Sequence, residues 1–150
     1  MIEVRKCTAR ELFEDPEWAE LVEEYSKECG LALIGKPAPR LDVYENLERA
    51  VAAQCFGVWQ DGKLTGFAMV LCSVVPHYSL NCANTESLFV RNGCPGGTTL
   101  MAAVDRHAAE AGATAIFYSA PVRSRLARLL FLCADEYVNT NHVFAKRLTA

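Results

Sequence analysis

The sequence lacks several features that would place it in a membrane or nucleic-acid-binding class. No apolar run reaches the roughly 20 residues that a bilayer-spanning helix needs, and the first ten residues lack the apolar stretch of a signal peptide. There is also no basic excess, because the formal net charge is −3, whereas nucleic-acid-binding domains usually carry a basic patch. We therefore expect a cytoplasmic protein that binds neither membrane nor nucleic acid.

Signatures of metal and disulfide frameworks are missing too. No two of the seven cysteines are spaced as Cys-x-x-Cys, which argues against a zinc ribbon and a thioredoxin motif. None of the three histidines lies near a cysteine and a carboxylate at metal-binding spacing, so we expect no metal site. The cysteine number is odd, and Cys72 is one of several within apolar runs. These cysteines are typical of buried thiols in a reducing compartment.

What is present is the composition of an ordinary globular domain. The 150 residues are 51% hydrophobic and 22% charged, enough to bury a core without cross-links. No repeat or low-complexity segment divides the chain. We expect one domain over residues 1–150.

The first third of the chain has the pattern of a strand followed by two helical regions. Residues 2–7 alternate apolar and polar side chains, which predicts a strand. Thr8 with Glu11 forms a capping box, and Asp15 before a proline offers a second helix start. A similar pattern at Asp42 begins the next helix, whose predicted apolar face consists of Val43, Leu47, Ala50 and Val51.

The remaining chain alternates between strands and helices. Asp61-Gly62 joins two strand-like segments, residues 55–60 and 63–75, in a predicted hairpin. The further predictions are strands at 85–91 and 113–119, helices at 97–111 and 123–134, and two closing strands around Tyr137 and at 142–148. The order β-α-α-β-β-β-α-β-α-β-β indicates an α/β fold with a mixed sheet and helices on both faces.

One segment carries a chemical signal. A strand runs into the glycine-rich turn at residues 92–97, and the turn opens directly into a helix. Glycines allow close backbone approach and positive φ, and the free amides at a helix start attract phosphate. A tight strand-to-helix turn without a ligand would use the same residues, so both interpretations stay open on this evidence.

This turn and the order of elements together resemble the GCN5-related N-acetyltransferase (GNAT) superfamily, most of all its short bacteriophage-encoded members. Aligned on the family's Q/R-x-x-G-x-G/A loop, Asn92 takes the Gln/Arg position, Pro95 the first glycine and Gly97 the second. The resemblance implies that the turn binds acetyl-CoA. The implied contacts come from Leu88, Phe89, Val90, Arg91, Asn92, Gly93, Cys94, Gly96, Gly97, Thr98, Thr99 and Arg123.

The resemblance also implies an N-acetyltransferase that acts on a primary amine of a small molecule or protein, with a homodimer possible. Pro95 lacks the amide of the family's glycine, so a weak or inactive GNAT-like domain that binds CoA or a protein partner is the alternative. A regulatory nucleotide-binding module is a third interpretation. The acidic first helical region would suit a cationic acceptor, but a run of charges of this kind is usually a solvated face.

Acetyl transfer to an amine needs a base and an acid. The resemblance implies a carboxylate base on the strand before the turn, which is Glu86. We expect Glu86 to share its strand face with Leu88 and Val90, apolar neighbours that would raise its pKa. The usual tyrosine acid of the last helix has no counterpart here, and the candidates in its place are Tyr118, Ser119 and Tyr137.

Overall fold

A computed structural model describes residues 1–148, which form one sheet and five helices. The elements in chain order are β1 (Ile2–Cys7), α1 (Ala9–Phe13), α2 (Trp18–Cys29), α3 (Leu41–Arg49), β2 (Ala53–Gln60), β3 (Lys63–Val75), β4 (Leu80–Val90), α4 (Gly97–Glu110), β5 (Ala115–Tyr118) and α5 (Arg125–Leu132). The first helical region is therefore divided into two helices, α1 and α2.

The five strands follow one another across the sheet in chain order. The pairs from β1 to β4 are antiparallel, and β4 with β5 is parallel, so the predicted mixed sheet is confirmed. Asp61 and Gly62, with φ of 51° and 80°, form the hairpin turn, because a two-residue turn of this kind requires positive φ at both positions. Strand β4 begins five residues earlier than predicted, since Leu80 pairs with Val75 across a second hairpin.

Helices cover both faces of the sheet, as predicted. Helices α1 and α2 pack against one face, where Leu12, Trp18 and Leu21 join Phe67 and Met69 in a buried cluster. Helix α4 covers the other face through three buried side chains, Leu100, Val104 and Ala108. Strand β4 contacts both layers, through Phe89 on one face and through Leu88 and Val90 on the other, and the candidate site lies along it.

Local capping chemistry explains some helix boundaries and not others. The Thr8 hydroxyl accepts a hydrogen bond from the Glu11 amide at 3.1 Å, which is the predicted cap of α1. The predicted cap at Asp42 is wrong, because α3 already begins at Leu41 and Asp42 instead accepts hydrogen bonds from Arg40. Val51 does not belong to the apolar face of α3, since it lies beyond the helix with φ of 55° and is 87% exposed.

The two closing strands predicted around Tyr137 and at 142–148 are also wrong. From Tyr137 to Leu148 the chain has no helix or strand. Val143 and Phe144 are more than nine-tenths exposed, so no buried face fixes a pairing register for this segment. Among residues 1–148, no helix is long and apolar enough to cross a membrane, and no three potential metal-binding side chains come together.

Candidate active site

The site begins where β4 and β5 separate. Their parallel pairing runs from Cys82 to Thr85 and ends where Thr85 meets Tyr118. Beyond that point, residues 87–90 of β4 pair with β3 on one side only. Backbone groups on the other side therefore have no strand partner and are available to a ligand.

A bulge in β4 sets the direction of the Glu86 side chain. Ser87 pairs with Met69 and Thr85 pairs with Val70, so Glu86 is an extra residue between them. Its carboxylate lies on the α3 side of the sheet, where the Tyr44 hydroxyl donates to Oε2 at 2.9 Å.

The prediction that Glu86 shares a face with Leu88 and Val90 is therefore wrong. Those two side chains pack against the α4 layer, whereas Glu86 is exposed on the other side. The bulge is the physical reason, because one extra residue reverses the alternation of side chains along the strand. The two apolar neighbours expected beside this carboxylate are therefore on the opposite face.

Two tyrosines stand beside Glu86. Burial, and after it the Glu86 carboxylate, raises the pKa of Tyr44, so its hydroxyl remains a hydrogen-bond donor to Glu86 at neutral pH. Burial likewise raises the pKa of Tyr25 to about 12, with smaller contributions from Cys29 and Glu86. Sequence reasoning missed both residues, and only their place on helices before the sheet hinted at them.

A cavity of about 480 Å³ opens beside Glu86, between α2, α3 and the loop at residues 31–40. We call it the α2–α3 cavity. Its lining includes Trp18, Tyr25, Tyr44, Phe67, Met69, Glu86 and Ser87, together with Leu31, Ile34 and Pro37 of the loop. Ser87 is 7% exposed, and its Oγ has no hydrogen-bond partner.

A second, smaller space continues along the same strand. This β4 groove has a volume of about 170 Å³ and lies between β4, α5 and the start of α4. Its lining includes Leu88, Phe89, Val90, Cys94, Gly97, Met101, Leu126 and Leu129. Cys29 lines both spaces, and β4 passes from the cavity at Glu86 and Ser87 to the groove at residues 88–90.

The glycine-rich turn closes the far end of the β4 groove. Gly93 and Gly96 have φ of 77° and 108°, which confirms the positive φ expected of this turn. No side chain caps α4, and the amides of residues 97–99 precede its first hydrogen bond, from the Leu100 amide to the Gly96 carbonyl at 2.8 Å. The helix therefore presents free donors and its positive end here.

The residues of the turn fit the pyrophosphate of CoA. A Cβ on Gly97 would meet only Val90 Cγ2, at 4.0 Å, so the space beside this glycine is open towards the groove. Asn92, Gly93, Thr98 and Thr99 are exposed at the surface of the turn. The turn thus combines free amides, room for an anion and an apolar groove.

Arg91 turns away from this groove. Its guanidinium contacts three carboxylates. Nη1 is 3.1 Å from Glu17, the residue before α2, and within α2 Nε is 2.8 Å from Glu24 and Nη2 is 3.6 Å from Glu20. Its amide donates to the Thr65 carbonyl at 2.7 Å. The cofactor contact expected of Arg91 therefore has no support from its side-chain position.

Arg125 occupies the groove instead. Its Nη2 donates to the Val90 carbonyl at 2.7 Å, and its Nε donates to Glu28 Oε2 at 2.9 Å. Burial works to raise the pKa of Glu28, but the hydrogen bonds and charge of Arg125 outweigh it, and the pKa lies below its usual value. Arg123, chosen from the sequence, is exposed with φ of 69°. Recognising Ser124 as the cap of α5 would have pointed to the residue after it.

The three acid candidates do not line either space. The Tyr118 hydroxyl donates to Asp105 of α4 at 2.6 Å, and the rings of Tyr118 and Tyr137 meet edge to face at 5.6 Å. Burial, and then Asp105, raises the pKa of Tyr118. Ser119 is nearer to the site, since its amide donates to Thr85 Oγ1 at 3.1 Å where the strands separate. Glu86 thus lines the cavity and the turn lines the groove, whereas Tyr118, Ser119 and Tyr137 line neither.

Comparisons with known proteins show which solved structures share this fold. No protein-family description matches the chain, and the search of curated proteins finds no match. Among solved structures, a ribosomal-protein-alanine N-acetyltransferase from Brucella melitensis biovar Abortus 2308 is 18% identical, with a TM-score of 0.71 over 99% of this chain and 100% of that one. An aminoglycoside N-acetyltransferase in complex with CoA is 18% identical, with a TM-score of 0.70 over 100% and 96% of the two chains.

A third similar structure carries the family name. A GNAT family acetyltransferase from Staphylococcus aureus subsp. aureus USA300_TCH1516 is 14% identical, with a TM-score of 0.64 over 98% of each chain. At these identities the likeness extends to the fold and not to the substrate. The chain has the GNAT fold.

Proposed function

We propose that this protein is an N-acetyltransferase that moves an acetyl group from acetyl-CoA to a primary amine of a small molecule or protein. The observation that carries the proposal is the separation of β4 from β5 directly beside Glu86. It leaves unpaired backbone between a cavity large enough for an acceptor and a turn suited to pyrophosphate.

The donor would lie along β4. When bound, acetyl-CoA supplies the thioester carbonyl carbon that the amine attacks and the thiolate that leaves. The amides of residues 97–99 would hold its pyrophosphate. Unpaired backbone N–H groups of residues 87–90 would orient the acetyl carbonyl and stabilise negative charge on its oxygen.

Glu86 would act as the general base. An acceptor in the α2–α3 cavity would present its ammonium group to this carboxylate, which takes a proton directly or through a water molecule. The Tyr44 hydroxyl fixes one carboxylate oxygen and so leaves the other free to accept the proton. The neutral amine can then form its bond to the acetyl carbon.

A catalytically weak or inactive domain that binds CoA or a protein partner is the second candidate. Two observations favour it: Pro95 supplies no amide within the turn, and Arg125 fills the groove. Calorimetry with acetyl-CoA, CoA and ATP, joined to a thiol-release assay with primary amines, separates these functions. The transferase requires CoA binding and amine-dependent thiol release, whereas CoA binding without release would support the second candidate.

The turn can be tested by Gly97→Glu. A glutamate there would place bulk and negative charge where pyrophosphate is expected, without a clash inside the protein, since a Cβ has room. We expect the melting temperature to be kept and acetyl-CoA affinity to fall at least about 100-fold, the loss of roughly two charge-assisted hydrogen bonds. Ala102→Glu, exposed on the same helix, is the matched control. Equal acetyl-CoA affinity in the two variants would refute the assignment of the turn.

A further inference from the structure

We infer that the acceptor is a primary amine carried on an apolar body with no second positive charge, and that it binds in the α2–α3 cavity with its ammonium at Glu86. The inference rests on the proposed function and narrows its substrate. It is carried by two independent features of the cavity, the chemistry of its walls and the pairing of the charges around it.

The walls are largely aromatic and aliphatic. Trp18 and Tyr25 both pack edge-on against Phe67, with ring centroids 5.0 and 5.5 Å apart, and Met69 lies beside them. On the opposite side, Ile34 lines the cavity although it is 74% exposed. An alkyl or aryl group bound here would cover Ile34 and displace water from both walls, which favours apolar ligands.

The sequence left open that the acidic residues of α2 attract a cationic acceptor, but none of these carboxylates lines the α2–α3 cavity. Glu17, Glu20 and Glu24 surround Arg91, Glu23 pairs with Lys36, and Glu28 pairs with Arg125. One guanidinium does not neutralise the three carboxylates around it, but all five carboxylates contact a cation and none of them lines the α2–α3 cavity. A second ammonium group on an acceptor bound in the cavity would therefore find no carboxylate besides Glu86 in its lining.

Glu86 differs from the carboxylates of α2 in the charge of its partner. Its observed partner is the neutral hydroxyl of Tyr44, and no cation among residues 1–148 forms a salt bridge with it. The two cations at the cavity rim, Lys36 and Arg40, are paired with Glu23 and Asp42. The cavity thus offers one negative charge for one ammonium group.

Ser87 adds a second polar contact at the same end. Its hydroxyl is buried without a hydrogen-bond partner next to Glu86, and an unsatisfied buried hydroxyl is costly unless a ligand or water completes it. An ammonium group has three donors, so it can bond Glu86 and still direct a donor towards Ser87 Oγ. Beyond this polar end the lining is mainly apolar, with Lys36 and Arg40 at the rim.

The test is a binding series measured by calorimetry on the full chain with CoA present, so that no acetyl transfer occurs. From propylamine to hexylamine we expect the dissociation constant to fall about fourfold per methylene, the value of burying each one. Pentylamine and 1,4-diaminobutane have the same number of heavy atoms, and we expect the diamine to bind at least about tenfold more weakly, because its second charge is desolvated without a partner.

A variant pair ties the selectivity to this cavity. Ile34→Asp places a carboxylate on its outer wall and should narrow the preference for pentylamine over the diamine about tenfold. Val74→Asp, on a 60% exposed side chain outside the cavity, should leave the preference unchanged. Three results would overturn the inference: a dissociation constant that does not change from propylamine to hexylamine, a diamine that binds as tightly as pentylamine, or no amine binding at all. The expected series without thiol release in acetyl-CoA would uphold the inference and defeat the proposed transferase.

Discussion

At the scale of single residues, the site depends on a contact between Glu86 and Tyr44. These residues are 42 positions apart in the chain and meet at 2.9 Å. The bulge at Glu86 makes the contact possible, since it turns the side chain towards α3. One extra residue in one strand thus decides whether the carboxylate faces the α2–α3 cavity or the α4 layer.

Glu86→Gln should therefore reduce turnover without loss of fold. The amide keeps the shape and an oxygen for Tyr44 but cannot take a proton. We expect kcat to fall about 10²–10⁴-fold at neutral pH, the usual contribution of a general base, and acetyl-CoA affinity to be unchanged. The loss should shrink above about pH 10, where an alkyl amine is largely deprotonated already.

The matched control is Glu110→Gln, which removes an exposed carboxylate at the far end of α4. Its kcat and pH profile should match those of the unmodified protein. Full activity of Glu86→Gln at neutral pH would show that another group, or solvent, takes the proton.

At the scale of elements, the β4 groove is narrower than its proposed ligand requires. Its volume of about 170 Å³ is below the roughly 300–1,000 Å³ typical of ligand pockets. Arg125 at the start of α5 is the side chain that bridges it, because it joins the Val90 carbonyl to Glu28 of α2. Entry of a pantetheine arm therefore requires this bridge to open.

Arg125→Ala should raise the affinity for acetyl-CoA. Opening a partly exposed ion pair with one carbonyl contact costs about 1 kcal/mol, so its removal should tighten binding about threefold to tenfold in calorimetry. Arg128→Ala, exposed on the same helix, should change little. Weaker binding in Arg125→Ala alone would show that this guanidinium contacts the cofactor rather than competing with it.

Much of this element arrangement follows from local sequence signals. The Asp61-Gly62 turn, the Thr8 cap and the glycine turn before α4 are each determined by a few adjacent residues, so the sequence predicts them. The bulge at Glu86 depends on the register between β3 and β4, and the Arg125–Glu28 pair joins residues 97 apart. Such features are set by tertiary pairing, and no short pattern in the sequence encodes them.

At the scale of the whole molecule, the buried cysteines make the stability of the folded chain depend on alkaline pH. The structure describes all seven as free thiols, and Cys7, Cys55 and Cys82 are buried. Burial raises the pKa of Cys7 to about 12, and it also raises the pKa of Cys55. These thiols stay protonated in the folded chain at a pH where the unfolded chain ionises them.

The folded chain therefore loses stability as the pH rises. A thiol with a raised pKa in the folded state contributes its full stability below its unfolded pKa, near 9, and loses it as the pH rises towards 12. At pH 10.5 Cys7 alone should cost about 2 kcal/mol relative to pH 8, since each pKa unit is worth about 1.4 kcal/mol. For a chain of this length, that lowers the melting temperature by roughly 4–8 °C.

Cys7→Ala tests this directly. The variant should melt lower than the unmodified protein at pH 8, because it leaves a small void in the core, yet its further fall from pH 8 to pH 10.5 should be about 4–8 °C smaller. Thermal melts followed by circular dichroism, with a reductant in every sample, measure both quantities. Cys133→Ala, at a half-buried thiol for which burial is less complete, should retain the full alkaline loss. If Cys7→Ala and the unmodified chain lose the same number of degrees between the two pH values, the alkaline loss arises elsewhere, and Cys7 does not hold its proton through burial.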